Sequence, residues 1–542
     1  MHIPHLPFSG RAAQAALALA MSLALNPAAV AEAQPTALNA ALPDPVPPPP
    51  QTVLFPASEE RIAAAIATLD DLAQQMLARS GIPGLAIAVV HRGQTVYARG
   101  FGLRAVGQPA PVDADTVFLL ASLSKPVGAT VVATQVSAGT VGWDSPVQPL
   151  LPWFGLGDPW VSQHVTIGDL YAHRSGLPDH AGDDLEDLGY DRRTVLERLA
   201  QLPQHAFRAH YAYTNFGLTA AAEAVAVAAG QDWASLSERA LYAPLDMGAT
   251  SSRHADYMAR ANRAASHTPG PDGYVAADLR QPDGQSPAGG VSSSVNDMAR
   301  WMTMVLSGGM AGDTRLIAEQ ALRPALSPQM IDGLPMSVEA RSSSYGYGFG
   351  VGVRPSGRVV ISHSGAFALG ASTTFALIPG LDLGIVVLTN APPTGVAESI
   401  AGHFTDRAEL GVDSRDWLAA YGPRMAALSA PTGSLVGAEP PADPAPAQDS
   451  AAYPGHYDNG YFGAAQVESG DDGLILRLGP EGRALALQHW DGDRFVIHPL
   501  TENEPSGSVS RVDFAVGADG RATALTIEHL DHAGLGRFQR RE

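Results

Sequence analysis

Hydrophobic residues recur at helical spacing soon after residue 57. They are Ile62, Ile66, Leu69, Leu72, Met76 and Leu77. Intervals of three, four and seven place these side chains on one face of a helix. Ser58 is a typical N-cap residue, and Gly81 and Pro83 are typical of a helix end. The pattern therefore predicts one amphipathic helix that begins after Ser58 and ends before Gly81.

Runs of aliphatic residues predict strands at both ends of the central region. Residues 85–90 and 95–98 flank a His-Arg-Gly-Gln turn and indicate a hairpin. Residues 359–361, 371–378 and 383–389 indicate further strands, the last two joined through Pro-Gly. Helix-like and strand-like stretches alternate irregularly between the two groups. This order favours an α+β fold, or a sandwich-like α/β layer, over repeated strand-helix-strand units.

Two stretches rich in alanine and proline divide the chain. Residues 34–56 and 427–450 have the composition of linkers and bound a main domain over residues 57–426. Beyond the second linker, short β-rich runs alternate with glycine- and aspartate-rich turns. These runs are residues 474–478, 494–498, 509–516 and 523–530. A small all-β domain, barrel-like in form, is therefore predicted over residues 451–542.

The amino-terminal 33 residues have the pattern of a secretion signal. His2, His5 and Arg11 precede a mostly apolar run over residues 12–25, and small-residue cleavage sites end at Ala31 and Ala33. We therefore expect a signal peptide over residues 1–33 and a periplasmic or secreted protein. An uncleaved anchor and a misassigned start are the alternatives. The chain has no cysteine, so it forms no disulfide and carries no lipid on a cysteine.

Charge narrows the choice of partners. The net charge is −20 at pH 7, which argues against binding to nucleic acid or to anionic membrane surfaces. We expect neither as a partner.

A single lysine stands out in this composition. Of the 34 basic residues, only Lys125 is lysine, and it lies three residues after Ser122. Positions three apart on a helix share a face, so a helix that begins at Ser122 brings the amine close to the hydroxyl. An ammonium can lose its proton in proteins, whereas a guanidinium stays charged. Ser122-Leu123-Ser124-Lys125 therefore predicts a nucleophilic serine with a neutral lysine as its base or relay.

Two further triplets supply candidate groups. Tyr213-Thr214-Asn215 opens a predicted helix, and a nearby Lys125 charge would lower the pKa of the phenol so that Tyr213 acts as base. The Asn215 carboxamide can accept from Lys125 and donate to a substrate amide.

The third triplet, His363-Ser364-Gly365, ends a predicted strand. A small Gly365 would let substrate lie along the strand edge. The N–H groups of Ala366 and Ser122 would then form an oxyanion hole.

These three motifs, in this order, resemble the penicillin-recognising serine hydrolases. That superfamily includes class C β-lactamases, D-amino-acid peptidases and related esterases. The resemblance covers about residues 72–405, including segments 165–178, 244–248 and 287–293. It implies a β-lactamase/transpeptidase-like α+β fold, an antiparallel sheet flanked by helices, with a helical subdomain. Residues 453–540 resemble the lipocalin-like domain that follows some of these hydrolases.

The resemblance also implies roles for individual residues. Ser122 would be the nucleophile, Lys125 its activating lysine and Tyr213 the phenolic base, while Asn215 and the His363 triplet would bind substrate. One departure matters: β-lactamases and most D-Ala-D-Ala peptidases have lysine at the position of His363. A fixed positive charge for a substrate carboxylate is therefore missing, as in the D-aminopeptidase, amidase and esterase branch.

The function predicted is hydrolysis of an amide or ester through an acyl-enzyme on Ser122. A peptidase for unusual or D-amino-acid peptides, including linearised cyclic peptides such as microcystin, ranks first. A carboxylesterase ranks second, and a β-lactamase or D-Ala-D-Ala carboxypeptidase third. A non-catalytic penicillin-binding receptor is the alternative from another class, and retention of every catalytic side chain argues against it.

Other features carry weaker predictions. No cofactor or metal is expected, because the acidic run 179–191 lacks calcium-site spacing and reads as a solvated rim of the active site. His173, His205 and His210 lack metal-ligand spacing and read as structural. The carboxyl-terminal domain is open to roles as a lid, a substrate-selecting wall or a surface for homo-oligomers.

Overall fold

The computed structural model describes residues 56–335 and 337–541. The predicted signal peptide and residues 34–55 of the first predicted linker lie outside the described residues. Across those described ranges, no helix is both long enough and apolar enough to span a membrane.

Fifteen α-helices lie in the described chain before residue 430. Their bounds are α1 Glu59–Ala67, α2 Leu69–Ser80, α3 Ser124–Ser137, α4 Pro159–His164, α5 Ile167–Tyr171, α6 Asp183–Asp187, α7 Arg192–Arg198, α8 Asn215–Ala228, α9 Trp233–Ser237, α10 His254–Ala259, α11 Ser286–Gly289, α12 Val295–Leu306, α13 Glu319–Leu322, α14 Val396–Leu410 and α15 Trp417–Ala426.

Strands of the first part of the chain form one large sheet and three small ribbons. Their bounds are β1 Gly84–His91, β2 Gln94–Gly102, β3 Phe118–Leu119, β4 His267–Gly270, β5 Gly273–Ala276, β6 Ser292–Ser293, β7 Met310–Ala311, β8 Thr314–Arg315, β9 Met330–Gly333, β10 Ser343–Tyr345, β11 Gly350–Val353, β12 Val359–Phe367, β13 Ala371–Ile378 and β14 Leu383–Thr389. The large sheet is antiparallel, in the order β2-β1-β14-β13-β12-β11-β10-β9.

The large sheet is buried on both faces. In β1, Leu85, Ile87 and Val89 pack with α1, α2 and α14 in one hydrophobic cluster. Ala86, Ala88 and Val90 point the other way, into a second cluster with Trp301 of α12, because successive side chains of a strand alternate between faces. The arrangement is a helix-sheet-helix sandwich, which confirms the predicted α+β class.

The first predicted helix is interrupted at one residue. Ser58 caps α1 as predicted, accepting a hydrogen bond from the Arg61 N–H at 3.3 Å. The single helix expected up to Gly81 is nevertheless two helices that meet at Thr68. The Thr68 hydroxyl donates to the Ala65 carbonyl oxygen at 2.7 Å. A hydroxyl bonded to a carbonyl three residues back competes with the helical ladder and turns the chain.

The carboxyl-terminal domain is a closed barrel. Its strands are β15 Gly455–Asn459, β16 Gly463–Gly470, β17 Gly473–Leu478, β18 Arg483–Asp491, β19 Arg494–Ile497, β20 Ser510–Val516, β21 Ala522–Ile527 and β22 Arg537–Arg540. Each strand pairs antiparallel with its neighbour in sequence, and β22 returns to β15. The predicted small all-β barrel is therefore confirmed. The rings of Tyr453, Phe495 and Phe514 pack against one another in its core, edge to face or tilted.

The barrel packs against the main domain close to α6 and α7. Tyr190 and Arg198 donate to the carbonyl oxygens of Phe462 and Tyr461, each at 2.7 Å. Segment 427–450 runs back along the barrel. Within it, the Thr432 carbonyl accepts from the Val509 N–H at 3.0 Å.

Candidate active site

The nucleophile candidate lies in a tight turn at the start of α3. Ala121, Ser122 and Leu123 form a 3-10 turn, and the α-helix begins at Ser124, two residues later than the sequence suggests. Ala121 has a φ of 47°, a left-handed conformation that non-glycine residues adopt rarely, often at functional sites. The Ser124 hydroxyl holds the turn, donating to the Ala121 carbonyl oxygen at 2.7 Å and accepting from the Val291 N–H at 2.9 Å.

Lys125 is fully buried beside this turn, with a 0% exposed side chain. Its Nζ lies 3.1 Å from Ser122 Oγ, 2.6 Å from Asn215 Oδ1 and 3.1 Å from the Ala288 carbonyl oxygen. Burial lowers the pKa of the Lys125 ammonium to about 7, against a smaller opposing effect of the Asp183 charge. Neutral and charged forms of Lys125 are therefore both populated near pH 7.

The partners of Lys125 suit a neutral amine. A neutral amine offers two N–H donors and one lone pair. The Asn215 and Ala288 oxygens can only accept, so they take the two N–H bonds. The Ser122 hydroxyl can donate, and it is the partner left for the lone pair. This arrangement points the serine proton at the base that would remove it.

Tyr213 lies on the other side of Ser122. Its hydroxyl donates to Ser122 Oγ at 2.7 Å, and its ring centre is 4.4 Å from Lys125 Nζ. Burial raises the pKa of the Tyr213 phenol, and the hydrogen bond to Ser122 opposes this only in part. The expectation that Lys125 lowers this pKa is therefore wrong, because the cost of burying a phenolate outweighs the attraction of a nearby amine.

His173 packs against the ring of Tyr213. Its Nδ1 accepts from the Thr214 N–H at 3.1 Å, and its ring centre lies 4.6 Å from that of Tyr213. Burial and the neighbouring Lys125 lower the pKa of His173 well below its usual value, so the ring is neutral. The structural role predicted for His173 fits this position, although it acts on a residue of the site.

Asn215 links Lys125 to an acidic helix. With its oxygen bonded to Lys125, its Nδ2 donates to Asp183 Oδ2 at 2.9 Å. His180 Nδ1 lies 2.9 Å from the same carboxylate oxygen. One amide N–H is thereby used inside the protein, which leaves a single N–H of Asn215 for the predicted contact with substrate.

The acidic run 179–191 is not the solvated rim predicted from its charge. Asp183 is 6% exposed, and α6 lies between the catalytic residues and the barrel. Asn215, Arg280 and Asn503 bond to carboxylates of this run at 2.9, 2.7 and 2.9 Å. These partners are distant in sequence, so composition alone could not reveal the burial.

His363 is neutral and fixed in orientation. The Ser364 carbonyl oxygen, 2.6 Å from Nδ1, can only accept, so the ring proton is on Nδ1. Nε2 then accepts from the Tyr345 hydroxyl at 2.7 Å. Burial, followed by the Lys125 charge, lowers the pKa of His363 to about 3. His363 therefore offers no positive charge to a substrate carboxylate.

The remaining residues of the third triplet border Ser122. Strand β12 runs beyond its partner β11, whose pairing ends at Ser362, and residues 363–367 pass the catalytic turn. A Cβ at Gly365 would lie 2.5 Å from the Leu120 carbonyl oxygen and 2.8 Å from the Ser122 nitrogen. The turn and strand can approach this closely only because residue 365 is glycine. The Ser364 hydroxyl lies 3.1 Å from that of Thr374.

A cavity of about 340 Å³ opens in front of these residues. We call it the active-site cavity; Ser122, Tyr213, Asn215 and Ser364–Ala368 line one side. Its other lining residues include five carboxylates, from Asp183, Glu186, Asp187, Glu398 and Glu502, together with Arg280 and His180. Glu398 is nearly buried, its Oε2 has no hydrogen-bond partner among the described residues, and burial raises its pKa.

Metal binding has no support in this arrangement. Within residues 56–335 and 337–541, no three histidine or acidic side chains are grouped so that they could hold a metal ion. The carboxylates of the cavity are instead bonded to protein groups or face the cavity singly.

Sequence reasoning missed several residues that build this cavity. Asp183, Glu398 and Glu502 belong to none of the three motifs. The one usable signal was the acidic run itself, which included Asp183. Glu398 and Glu502 lie on α14 and on the barrel loop between β19 and β20, and only the folded chain brings them here.

The geometry defines a class of protein. A serine flanked by a buried lysine and a tyrosine, beside an antiparallel strand, is an arrangement typical of a serine hydrolase, since the neighbouring groups can activate the hydroxyl. Residues 69–408 match the family described as Beta-lactamase. The chain belongs to that family, since the match covers more than half of it.

Relatives and solved structures agree with this assignment. Unguisins hydrolase ungD of Aspergillus violaceofuscus is 25% identical over 84% of this chain and 86% of its own length. D-alanyl-D-alanine-carboxypeptidase/endopeptidase AmpH of Escherichia coli is 25% identical over 62% of this chain and 87% of its own.

The octameric penicillin-binding protein homologue of Pyrococcus abyssi shares the fold. Its TM-score is 0.55 at 18% identity, covering 85% of this chain and 98% of that one. Residues 439–539 match a domain of unknown function, DUF3471.

Proposed function

We propose that this serine hydrolase cleaves an amide bond in unusual or D-amino-acid-containing peptides, through an acyl-enzyme on Ser122. The observation that carries the proposal is the pair of contacts on Ser122 Oγ, 3.1 Å from Lys125 Nζ and 2.7 Å from the Tyr213 hydroxyl. One neighbour can take the serine proton and the other can supply a proton.

Acylation begins with neutral Lys125. Its lone pair takes the Ser122 proton while Oγ attacks the carbonyl carbon. The N–H groups of Ser122 and Ala366 stabilise the negative oxygen. Tyr213 donates its proton to the leaving nitrogen and is reprotonated from Lys125, which returns to its neutral form. The proton of Ser122 has then moved to the leaving group, and the acyl group stays on Oγ.

Deacylation reverses the proton path with water as nucleophile. The water gives its proton to the Lys125–Tyr213 pair and attacks the ester carbonyl. The pair then returns that proton to Ser122 Oγ, and the acid product leaves. No step needs a charged His363, which agrees with its low pKa.

The substrate class is supported by charge and by relatives. A neutral His363 gives no positive charge at the position where β-lactamases and most D-Ala-D-Ala peptidases carry lysine, which disfavours the β-lactamase and D-Ala-D-Ala carboxypeptidase alternatives. The name of ungD describes a hydrolase of unguisins, and that relative spans 84% of this chain. An ester would react by the same steps, since its leaving group departs more readily. We also propose that the protein is exported through the signal peptide predicted over residues 1–33.

Two substitutions test the proposal. Ser122→Ala removes the nucleophile and is expected to lower kcat at least about a thousandfold. Lys125→Arg keeps a positive charge but cannot lose its proton, so it should lose nearly as much. Hydrolysis of a D-alanyl peptide and labelling by a fluorescent fluorophosphonate are the measurements.

Ser80→Ala, at the end of α2, is the matched serine control and should keep both turnover and labelling. Full turnover by Lys125→Arg would contradict the mechanism, and labelling of Ser122→Ala would contradict the nucleophile.

A further inference from the structure

A second cavity of about 980 Å³ lies beside the active-site cavity. We call it the outer cavity. Trp153 and Leu279 of the hydrolase part and Leu500 of the barrel are among its lining residues. Its volume is in the range that holds a drug-sized ligand, and a short peptide is a ligand of that size.

Four side chains line both cavities and separate them. Glu186, Asp187, Arg280 and Glu502 form what we call the charged partition. Arg280 Nη2 donates to Glu186 Oε2 at 2.7 Å, and Arg280 Nε lies 3.9 Å from Glu502 Oε2. Glu502 in turn accepts from the Ala368 N–H at 2.6 Å. The partition therefore joins the barrel to the segment that follows Ala366, the predicted oxyanion donor.

The partition contains one donor and one acceptor without hydrogen bonds. Arg280 Nε and Glu186 Oε1 are buried, and neither has a hydrogen-bond partner among the described residues. A buried polar atom left unsatisfied costs about 1–3 kcal/mol. A peptide group carries one C=O acceptor and one N–H donor. A peptide backbone lying against the partition offers a partner of each kind, a C=O for Arg280 Nε and an N–H for Glu186 Oε1.

The outer cavity also exposes apolar surface. Val227, Leu279 and Leu500 are 49%, 51% and 40% exposed, and all three line it. Large apolar side chains grouped at a cavity are typical of a surface that a ligand covers. A nonpolar side chain of a peptide would fit this lining.

We propose that the charged partition and the outer cavity form an extended subsite for the distal residues of a peptide substrate. The substrate backbone crosses the partition alongside the hydrogen-bonded pair of Arg280 and Glu186, and a nonpolar residue beyond it occupies the outer cavity. This inference rests on the proposed function, since the substrate is bound near Ser122. It adds that the protein selects long peptides over dipeptides.

Calorimetry on the Ser122→Ala variant tests the subsite without turnover. The probes are D-alanyl-D-alanine and two hexapeptides that contain it. Both hexapeptides extend the dipeptide with alternating alanine and leucine residues, the first at its amino end and the second at its carboxyl end. We expect one hexapeptide to bind at least about tenfold more tightly than the dipeptide. Equal affinity for the dipeptide and both hexapeptides would overturn the proposal.

Two charge substitutions in the Ser122→Ala variant test whether the outer cavity is responsible for the tighter binding of a hexapeptide. Leu279→Asp, and independently Leu500→Asp, should each lower hexapeptide affinity about tenfold by placing a carboxylate in the apolar lining. Val275→Asp is the matched control, because Val275 is 52% exposed on β5 and should leave hexapeptide affinity unchanged. Equal losses from Leu279→Asp and Val275→Asp would overturn the proposal. Fluorophosphonate labelling of the wild-type chain reports separately on the proposed function.

Discussion

The proposed chemistry depends on the protonation of one buried amine. Lys125 is the only lysine of the chain, and two carbonyl oxygens take its N–H bonds while Ser122 faces its lone pair. Arginine would not serve in this role, since its guanidinium would remain charged. The motif predicted this contact from a spacing of three residues. It did not reveal that the phenol of Tyr213 stays protonated, because burial is a property of the folded chain.

The pH dependence of turnover should report Lys125. Burial lowers the pKa of this amine, so the active neutral form accumulates as pH rises through about 7. We expect kcat/KM for an uncharged ester to fall tenfold per pH unit below that value. Asp183→Asn removes the charge that raises this pKa, so its acidic limb should move to lower pH. A pH–rate profile from 5 to 9 is the measurement, and an acidic limb unmoved by Asp183→Asn would contradict the assignment.

At the scale of elements, the site depends on one strand passing close to one turn. Strand β12 contacts the turn before α3 at Gly365, where there is no room for a Cβ. The Thr373 hydroxyl of β13 fixes the same turn, donating to the Leu120 carbonyl oxygen at 2.7 Å. The distance between strand and turn sets where the two predicted oxyanion donors lie.

Gly365→Ala tests this close approach. The added methyl group would lie under 3 Å from backbone atoms of the turn, so the turn or the strand must shift. We expect kcat to fall about a hundredfold or more, as when an oxyanion donor is lost. Gly352→Ala on β11 is the matched control, because its Cβ would meet only Val360 at 3.5 Å. Steady-state kinetics on an ester substrate decide the matter; equal kcat in both variants would contradict the role of Gly365.

Sequence predicted local elements well and contacts between elements poorly. The Ser58 cap, the β1–β2 hairpin and the barrel strands each follow from residues adjacent in the chain. Thr68 interrupts the first predicted helix because its hydroxyl donates to the Ala65 carbonyl oxygen. Hydrophobic spacing does not predict this hydrogen bond. Asp183 and Glu502, more than 300 residues apart in the chain, both line the active-site cavity because the barrel packs against the main domain, which periodicity cannot predict.

At the scale of the whole molecule, the barrel completes a wall of the active-site cavity. Glu502 and Asn503 lie on the loop between β19 and β20 and bond to Ala368 and Asp187 of the hydrolase part. Carboxyl groups are concentrated at this junction. Burial raises the pKa of Glu504, and also that of Glu502, to about 8. Asp184, Asp187, Arg483 and His529 are the charged or titratable side chains that share a cleft with Glu504.

The contribution of Glu504 to stability should therefore fall as pH rises. In the fold Glu504 stays protonated up to about pH 8, whereas in the unfolded chain it ionises near its ordinary value. The unfolded state thus releases a proton between about pH 4.5 and 8, and the free energy of unfolding falls over that window, by up to a few kcal/mol.

Glu504→Gln keeps the shape of the side chain but replaces the carboxyl group with an amide that does not ionise. It should raise Tm relative to wild type at pH 8.5 and change it little at pH 5. Glu481→Gln, on an exposed turn of the barrel, should have no pH-dependent effect. Thermal unfolding followed by circular dichroism is the measurement, and a Tm difference independent of pH would contradict the prediction.

The loop that carries Glu502 has a consequence for how such a protein diversifies. The residues proposed to make and break bonds are encoded before residue 370, while part of the wall of the active-site cavity is encoded about 130 residues later, in a loop between two barrel strands. Mutations in that loop can reshape what enters the cavity without disturbing the reacting atoms. Exchanging this loop between homologues is therefore a route to new substrate ranges with unchanged reacting residues.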